Sequence, residues 1–268
     1  MTDYQDLTLT VENRIAVLTF NLPESRNPIS NPNTLDEIEA ALGEVQANDE
    51  VSVLVVTGAG QAFSAGGNIK AMRQRTTDPS FDHFRIRDYY KRGIQRLPLA
   101  FDKVDVPAIA AINGAAMGGG LDLAMMCDIR LASTEAFMGE TFLNLGIIPG
   151  DGGSWYLERL VGHQQAAVMT LTAKPIKAEQ ALALGLVMSV VEPAQLMPEA
   201  MALAERIAAK PPRALRMAKR LLKQAEAMTL NDFLHTCAAA QALAQTSGDH
   251  KEAVNAFFDK RDPVFEGR

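Results

Sequence analysis

Hydrophobic and polar residues alternate in two short segments near the start of the chain. The segments cover residues 7–12 and 15–20 and are separated by two residues, a pattern that predicts a β-hairpin. A loop rich in Pro, Asn and Ser follows over residues 23–32. Thr34 is then a candidate N-cap, because apolar residues recur after it at helical spacing. These apolar positions are Leu35, Ile38, Ala41, Leu42 and Val45.

Two nearly continuous apolar runs occupy residues 51–57 and 107–112. They contain several β-branched residues, which is typical of strands buried on both faces of a sheet. Strands that alternate with helical patterns indicate crossover connections and a largely parallel sheet. Between the two runs, a polar and aromatic stretch over residues 78–102 predicts a loop that continues into a helix around residues 81–95.

The pattern becomes almost wholly helical after Pro193. Pro211 and Pro212 predict the start of one helix, because proline is tolerated in a first turn. Thr229 is a candidate N-cap for the next helix. We therefore expect an α/β core over residues 1–195 and a helical C-terminal region over residues 196–268.

A glycine-bearing turn follows each of the two apolar runs. The first turn reads FSAGGNIK over residues 63–70, and the second reads NGAAMGGGLD over residues 113–122. Glycine lets a ligand approach the backbone closely and tolerates positive φ. Two such turns can direct backbone N–H groups at one oxygen atom, as acyl chemistry requires. Asp122 lies two residues beyond the second glycine cluster, close enough to carry a proton.

The two turns resemble the oxyanion-hole segments of the enoyl-CoA hydratase/isomerase (crotonase) superfamily. The resemblance extends over nearly the whole chain, in blocks at residues 21–27, 126–130, 145–153, 183–187 and 249–261. It implies an α/β fold built as a spiral of ββα units, followed by C-terminal helices that form a homotrimer or a dimer of trimers. It also implies an acyl-CoA thioester as the substrate.

The resemblance assigns roles to particular residues. The amides of Gly67 and Gly119 would hold the thioester oxygen, and Asp122 would move the proton. Hydratases of the family carry glutamate at the position of Asp122, whereas dienoyl-CoA isomerases carry aspartate. The expected substrate-binding residues are Arg26, Asn27, Ala65, Asn68, Ile69, Lys70, Phe142, Phe257 and Lys260.

The chain departs from the hydratase pattern at Phe142, which occupies the position of the second catalytic glutamate. Phenylalanine can neither hold nor activate water. We expect Asp151 to take the second catalytic role, and Glu140 is the other candidate. Asp151 could instead cap a helix that begins near Gly153.

Reversible hydration of a 2-enoyl-CoA is the leading expectation, and double-bond isomerisation is the alternative. A non-catalytic acyl-CoA-binding or RNA-binding member is a third possibility, which the intact glycines and the net charge of −6 disfavour. Ser64 lies in a sequence similar to a hydrolase nucleophile elbow, but Ala62 replaces the first glycine of that motif. We expect no metal or redox cofactor, with coenzyme A entering only as part of the substrate.

Composition limits the partners and the compartment. The net negative charge indicates no nucleic-acid-binding face. The two cysteines, Cys127 and Cys237, are not spaced as metal ligands. No signal-peptide pattern is present at the N-terminus, and no apolar run reaches the ~18 residues that span a bilayer. We therefore expect a cytoplasmic protein with no membrane partner.

Overall fold

A six-stranded, largely parallel sheet forms the centre of the fold in the computed structural model, which describes residues 2–267. In order across the sheet, the strands are β1 (Leu7–Glu12), β2 (Ile15–Phe20), β3 (Val53–Gly58), β5 (Ala108–Ile112), β7 (Ile129–Ser133) and β10 (Ser189–Val191). The first two strands form the predicted antiparallel hairpin. The continuous apolar runs form β3 and β5 at the middle of this sheet, as expected.

A second, four-stranded sheet lies beside the first within residues 2–267. Its strands are β4 (Ala62–Ser64), β6 (Ala115–Met117), β8 (Phe137–Gly139) and β9 (Ile176–Lys177). Strands β3, β5 and β7 of the large sheet each continue into the next strand of the small one. β4, β6 and β8 pair in parallel, so each successive unit is stacked on the one before it. This arrangement confirms the expected α/β spiral and brings the turns after β4 and β6 together.

The helices follow the strands of the spiral and then form the C-terminal region. They are α1 (Pro32–Ala47), α2 (Ile69–Thr76), α3 (His83–Arg92), α4 (Arg96–Asp102), α5 (Gly119–Met126), α6 (Gly153–Thr172), α7 (Ala178–Ala183), α8 (Pro193–Ala208), α9 (Pro212–Ala225), α10 (Leu230–Gln245) and α11 (Gly248–Asp259). The predicted helix over residues 81–95 corresponds to α3, and α2 is the helical segment that follows the first glycine-bearing turn. α9 begins at Pro212, and the Thr229 side chain caps α10 by accepting from Asp232 N–H, both as expected.

The prediction that Thr34 caps α1 is wrong. The helix begins two residues earlier, at Pro32, because proline at the first helical position already has a helical φ. Thr34 is buried inside the helix, and its hydroxyl donates to Asp6 Oδ2 at 2.5 Å.

The large sheet is covered on both faces by helices. On one face, α8 presents a stripe of buried residues at intervals of four, Leu196, Ala200, Ala204 and Ala208. This stripe packs against β-strand residues that include Val53 and Ile109. α8 thus spans the expected boundary near residue 195 and packs on the core sheet. α9 is attached through the buried Lys219, whose ammonium lies 2.7 Å from Asp128 Oδ2 and donates to Val106 O.

Candidate active site

The two glycine-bearing turns are in direct backbone contact. Gly66 has a φ of +79°, and a Cβ added to it would lie 2.3 Å from Met117 O and 3.0 Å from Gly119 N. A Cβ added to Gly120 would lie 2.1 Å from Ser64 O. Side chains cannot be accommodated at these separations. Glycine is therefore required for the two turns to meet, as the sequence predicted.

Buried side chains fix the shape of the first turn. The Asn27 amide donates to Ala59 O and Ala62 O at 2.9 and 2.8 Å, and its oxygen accepts from Leu22 N at 2.9 Å. Ser64 Oγ donates to Asn27 O at 2.7 Å and accepts from Gly66 N at 3.0 Å. Asn27 was expected to contact substrate, but its buried side chain supports the loop instead. The Ser64 hydroxyl is likewise engaged within the turn.

Gly67 and Gly119 line the same cavity. Gly119 is the first residue of α5, where an N–H group has no acceptor within the helix. The N–H of Gly67 has no acceptor among residues 2–267. Both amides are therefore available to an oxygen atom bound in the cavity, as expected for an oxyanion hole.

Three buried acids lie beside this cavity, although they come from separate parts of the chain. Asp122 is in the first turn of α5, Glu140 directly follows β8, and Asp151 lies in the loop before α6. Asp122 and Glu140 are 0% exposed and Asp151 is 4% exposed. Asp151 lines the cavity itself. The structure therefore brings both candidates for the second catalytic acid together with Asp122.

Glycines make room for two of the carboxylates. A Cβ on Gly119 would lie 2.8 Å from Asp151 Oδ2, so this acid packs directly on the backbone of an oxyanion-hole residue. A Cβ on Gly153 would lie 2.3 Å from Asp122 Oδ1. Asp122 is therefore held between its own helix and the first residue of α6. The N-cap of α6 is Gly152, so Asp151 does not cap this helix.

Burial raises the pKa of all three acids. Both carboxylate oxygens of Asp122 and Glu140, and Oδ1 of Asp151, lack an N–H or hydroxyl donor within residues 2–267. Burial, and then the charges of its two neighbours, raise the pKa of Asp122 well above its ordinary value. Burial likewise raises the pKa of Glu140 to about 7 and that of Asp151.

The three acids are close enough to affect one another's titration. Asp122 interacts with the charges of both Asp151 and Glu140. Two carboxyl groups in contact can form a hydrogen bond with each other only if one of them is protonated. The cluster consequently retains protons near neutral pH, and its titration belongs to the group rather than to one residue.

The remaining predicted residues surround the cavity or lie away from it. Phe142 lines the cavity and contacts the second turn, since a Cβ on Gly118 would lie 3.4 Å from its ring. The Asn68 side chain accepts from Ala71 N–H and so caps α2. Arg26 borders a separate cavity. Ile69, Lys70, Phe257 and Lys260 are exposed, and Ala65 donates its N–H to Arg26 O.

Sequence reasoning missed four residues on α2 and α3 that line the cavity, Met72, Arg75, Tyr89 and Tyr90. The aromatic character of residues 81–95 was visible in the sequence. Which of these side chains turn inward depends on how α3 packs, and the sequence pattern did not determine that.

The site combines two backbone N–H groups that lack an acceptor in the described part of the chain with three buried acids of raised pKa. This arrangement suits proton transfer on a compound whose oxygen gains negative charge. The sequence model of the enoyl-CoA hydratase/isomerase family matches residues 10–268. A short-chain-enoyl-CoA hydratase from Clostridium acetobutylicum is 36% identical over 260 residues, which cover 97% of this chain and 97% of the relative.

Two further comparisons agree with this match. A 1,2-epoxyphenylacetyl-CoA isomerase from Escherichia coli is 35% identical, with 96% of this chain and 97% of the relative covered. The crystal structure of an enoyl-CoA hydratase from Bacillus anthracis has a TM-score of 0.91 at 30% identity and covers 98% of this chain and 100% of its own. The chain therefore belongs to the enoyl-CoA hydratase/isomerase family, which confirms the resemblance seen in the sequence.

Proposed function

We propose that this protein catalyses the reversible addition of water to a 2-enoyl-CoA. The observation that carries the proposal is that Gly67, Gly119 and Asp151 line the same cavity. Relatives named as hydratases, such as the one from Clostridium acetobutylicum, support the choice of reaction. The reaction needs no metal ion and no redox group, and coenzyme A is part of the substrate.

In the proposed mechanism, the thioester oxygen accepts hydrogen bonds from the N–H groups of Gly67 and Gly119. An ionised carboxylate takes a proton from water while the water oxygen bonds to the β-carbon. The electron pair of the double bond moves through the α-carbon onto the thioester oxygen and gives an enolate. A protonated acid then delivers a proton to the α-carbon, which restores the carbonyl. Removing one such amide donor elsewhere costs about 3 kcal/mol of transition-state stabilisation.

Asp151 is the proposed acid that touches the acyl group, because it lines the cavity. Asp122 is completely buried and lies close enough to Asp151 for the two charges to interact. We propose that these two residues act as one acid–base pair, so that the proton taken from water and the proton given to carbon pass through the same carboxyl cluster. Glu140 serves this pair as a positioning residue, since it interacts with Asp122.

Double-bond isomerisation is the second candidate, and Phe142 is the observation that favours it. Its ring lines the cavity at the position expected for the second hydratase glutamate and reduces the polar surface available to water. An isomerase needs only to remove a proton from one carbon and return it to another. The Escherichia coli relative named as an isomerase shows that the family is not restricted to hydratases.

Coenzyme A contacts are proposed on the side of the first turn. Cationic side chains form charge-assisted hydrogen bonds with phosphates, which suits Arg26 and Lys70. Residues 65–69 would follow the pantetheine arm, with Asn68 contributing through its backbone because its side chain caps α2. Asn27 is not expected to contact coenzyme A through its side chain, because both ends of its amide group are hydrogen-bonded to the backbone.

We propose that the chain forms a homotrimer or a dimer of trimers through its C-terminal helices. Large apolar side chains on α10 and α11 are exposed in the single chain, including Leu243 at 67%, Phe257 at 79% and Phe258 at 77%. Such a surface favours association. Phe257 and Lys260 would then contact the coenzyme A bound to a neighbouring subunit.

The test measures loss of the enoyl thioester absorbance with short, medium and aromatic 2-enoyl-CoA substrates. We expect turnover by the wild type, and a decrease in kcat of about 10²–10⁴-fold in D122N with acyl-CoA affinity retained. Activity of D122N within about tenfold of the wild type would contradict the proposed acid–base pair.

A further inference from the structure

A second, apolar cavity continues from the one that holds the oxyanion-hole amides. It has a volume of about 450 Å³ and is lined mainly by apolar and aromatic side chains. Met72, Tyr89 and Ile147 line both cavities. Because the two cavities share walls, an acyl group whose thioester lies at Gly67 and Gly119 can extend into the apolar one.

Arg75 is the charged side chain that borders both of these cavities. It is half-buried, and its guanidinium carbon lies 4.4 Å from the centre of the Tyr89 ring. Stacking on an aromatic ring uses the face of the guanidinium group. The N–H donors lie in the plane of the group and remain available to an acceptor.

The partly buried Arg96 pairs with Asp36 and Glu39. The partly buried Arg216 has no acidic partner, but it donates to three backbone carbonyls. Within residues 2–267, the Arg75 guanidinium forms neither an ion pair nor a hydrogen bond. The chain has a net charge of −6, so acidic partners are not scarce. A cation that faces an apolar cavity without a partner is suited to an anion brought by the ligand.

We propose that the acyl group of the substrate ends in a carboxylate, which pairs with Arg75. The substrate would then be the monothioester of a dicarboxylic acid, with an apolar middle part between two polar ends. Asp151 lines the first cavity but not the apolar one, so the distal carboxylate need not lie against another acid. This inference rests on the proposed acyl-CoA function, and it adds the chemical class of the acyl group.

The test compares the binding of saturated acyl-CoA analogues that cannot be hydrated. Adipoyl-CoA and hexanoyl-CoA form one matched pair, and suberoyl-CoA and octanoyl-CoA form a longer one. The two members of a pair differ in having a terminal carboxylate or a methyl group. Because a charge-assisted hydrogen bond is the expected difference, we expect the wild type to bind the carboxylate member of at least one pair about tenfold more tightly by calorimetry.

The variant R75Q should remove this preference by weakening the carboxylate member alone, whereas R75K should retain part of it. R85Q is the matched control, because Arg85 is exposed on α3 and borders neither cavity. Equal weakening of both members in R75Q would show that Arg75 contacts coenzyme A and would overturn the proposal. A wild type with no preference for the carboxylate in either pair would also overturn it. Since binding requires no turnover, these results are independent of the hydration assay.

Discussion

Replacing Glu140 with glutamine should make the folded protein more stable at high pH. The change preserves the size of a completely buried side chain but prevents it from ionising. The pKa of Glu140 is raised from 4.5 to about 7 in the folded protein. Between these two pH values the folded wild type keeps a proton that the unfolded chain has already released. Its stability therefore falls as the pH rises through this window.

The size of this effect follows from the shift in pKa. One pKa unit corresponds to 1.36 kcal/mol, so the shift predicts a loss of about 3 kcal/mol for the wild type across the window. Water does not screen this cost, because Glu140 is 0% exposed. E140Q lacks the cost, and its stability relative to the wild type should increase by that amount between about pH 5 and about pH 8.

The same variant should change the pH dependence of catalysis. Above about pH 7, where Glu140 ionises, glutamine removes a negative neighbour of Asp122, and its amide can donate a hydrogen bond to the Asp122 carboxylate. Both effects favour the ionised form of the acid pair. The acidic limb of the kcat profile should consequently move to lower pH in E140Q. A residue that only fills space would leave this limb unchanged.

The assay is urea unfolding at several pH values, with steady-state kinetics on the same samples. Protein concentration must be constant, because association contributes to stability in an oligomer. E205Q is the control, since Glu205 is exposed on α8. Parallel stability profiles for wild type and E140Q across the window would refute the conclusion that Glu140 retains a proton in the folded protein.

Three further predictions concern other parts of the account. D151N should lower kcat at least about tenfold with no decrease in Tm, because Asp151 lines the cavity and caps no helix; full activity would favour an isomerase in which Asp122 acts alone. S64A should lower stability by about 1–3 kcal/mol through loss of the hydrogen bonds to Asn27 and Gly66, and a covalent acyl adduct on Ser64 in the wild type would contradict its structural role. Light scattering should show a trimer or hexamer, whereas a stable monomer near 29.0 kDa would contradict the proposed assembly.

The strands and the oxyanion-hole turns could be predicted because their sequence signals are local. Alternating hydrophobic and polar residues predicted the hairpin, and continuous apolar runs predicted β3 and β5. The helical start at Pro32 was missed because a threonine two residues later fits the cap pattern equally well. Sequence alone could not distinguish a cap from a buried threonine that donates to Asp6, since that bond joins residues 28 positions apart.

The acid cluster could be predicted only in part. Asp122 was found from its position beside a glycine turn, but Asp151 and Glu140 remained alternatives. The structure shows that both reach Asp122, because β6 and β8 are adjacent in the small sheet and α6 packs against α5. Asn27 illustrates the opposite case. Its position in the loop over residues 23–32 was recognised. The direction of its side chain depends on the contact between that loop and residues 59–62.

The central claim is that the two amides and the acid cluster carry out hydration through an enolate. Incubation of the enzyme with a 2-enoyl-CoA in deuterated, oxygen-18-labelled water, followed by mass spectrometry, tests it most directly. We expect a product with one labelled hydroxyl group at the β-carbon and one deuterium at the α-carbon. Deuterium in a shifted alkene without any added hydroxyl group would contradict it and identify an isomerase.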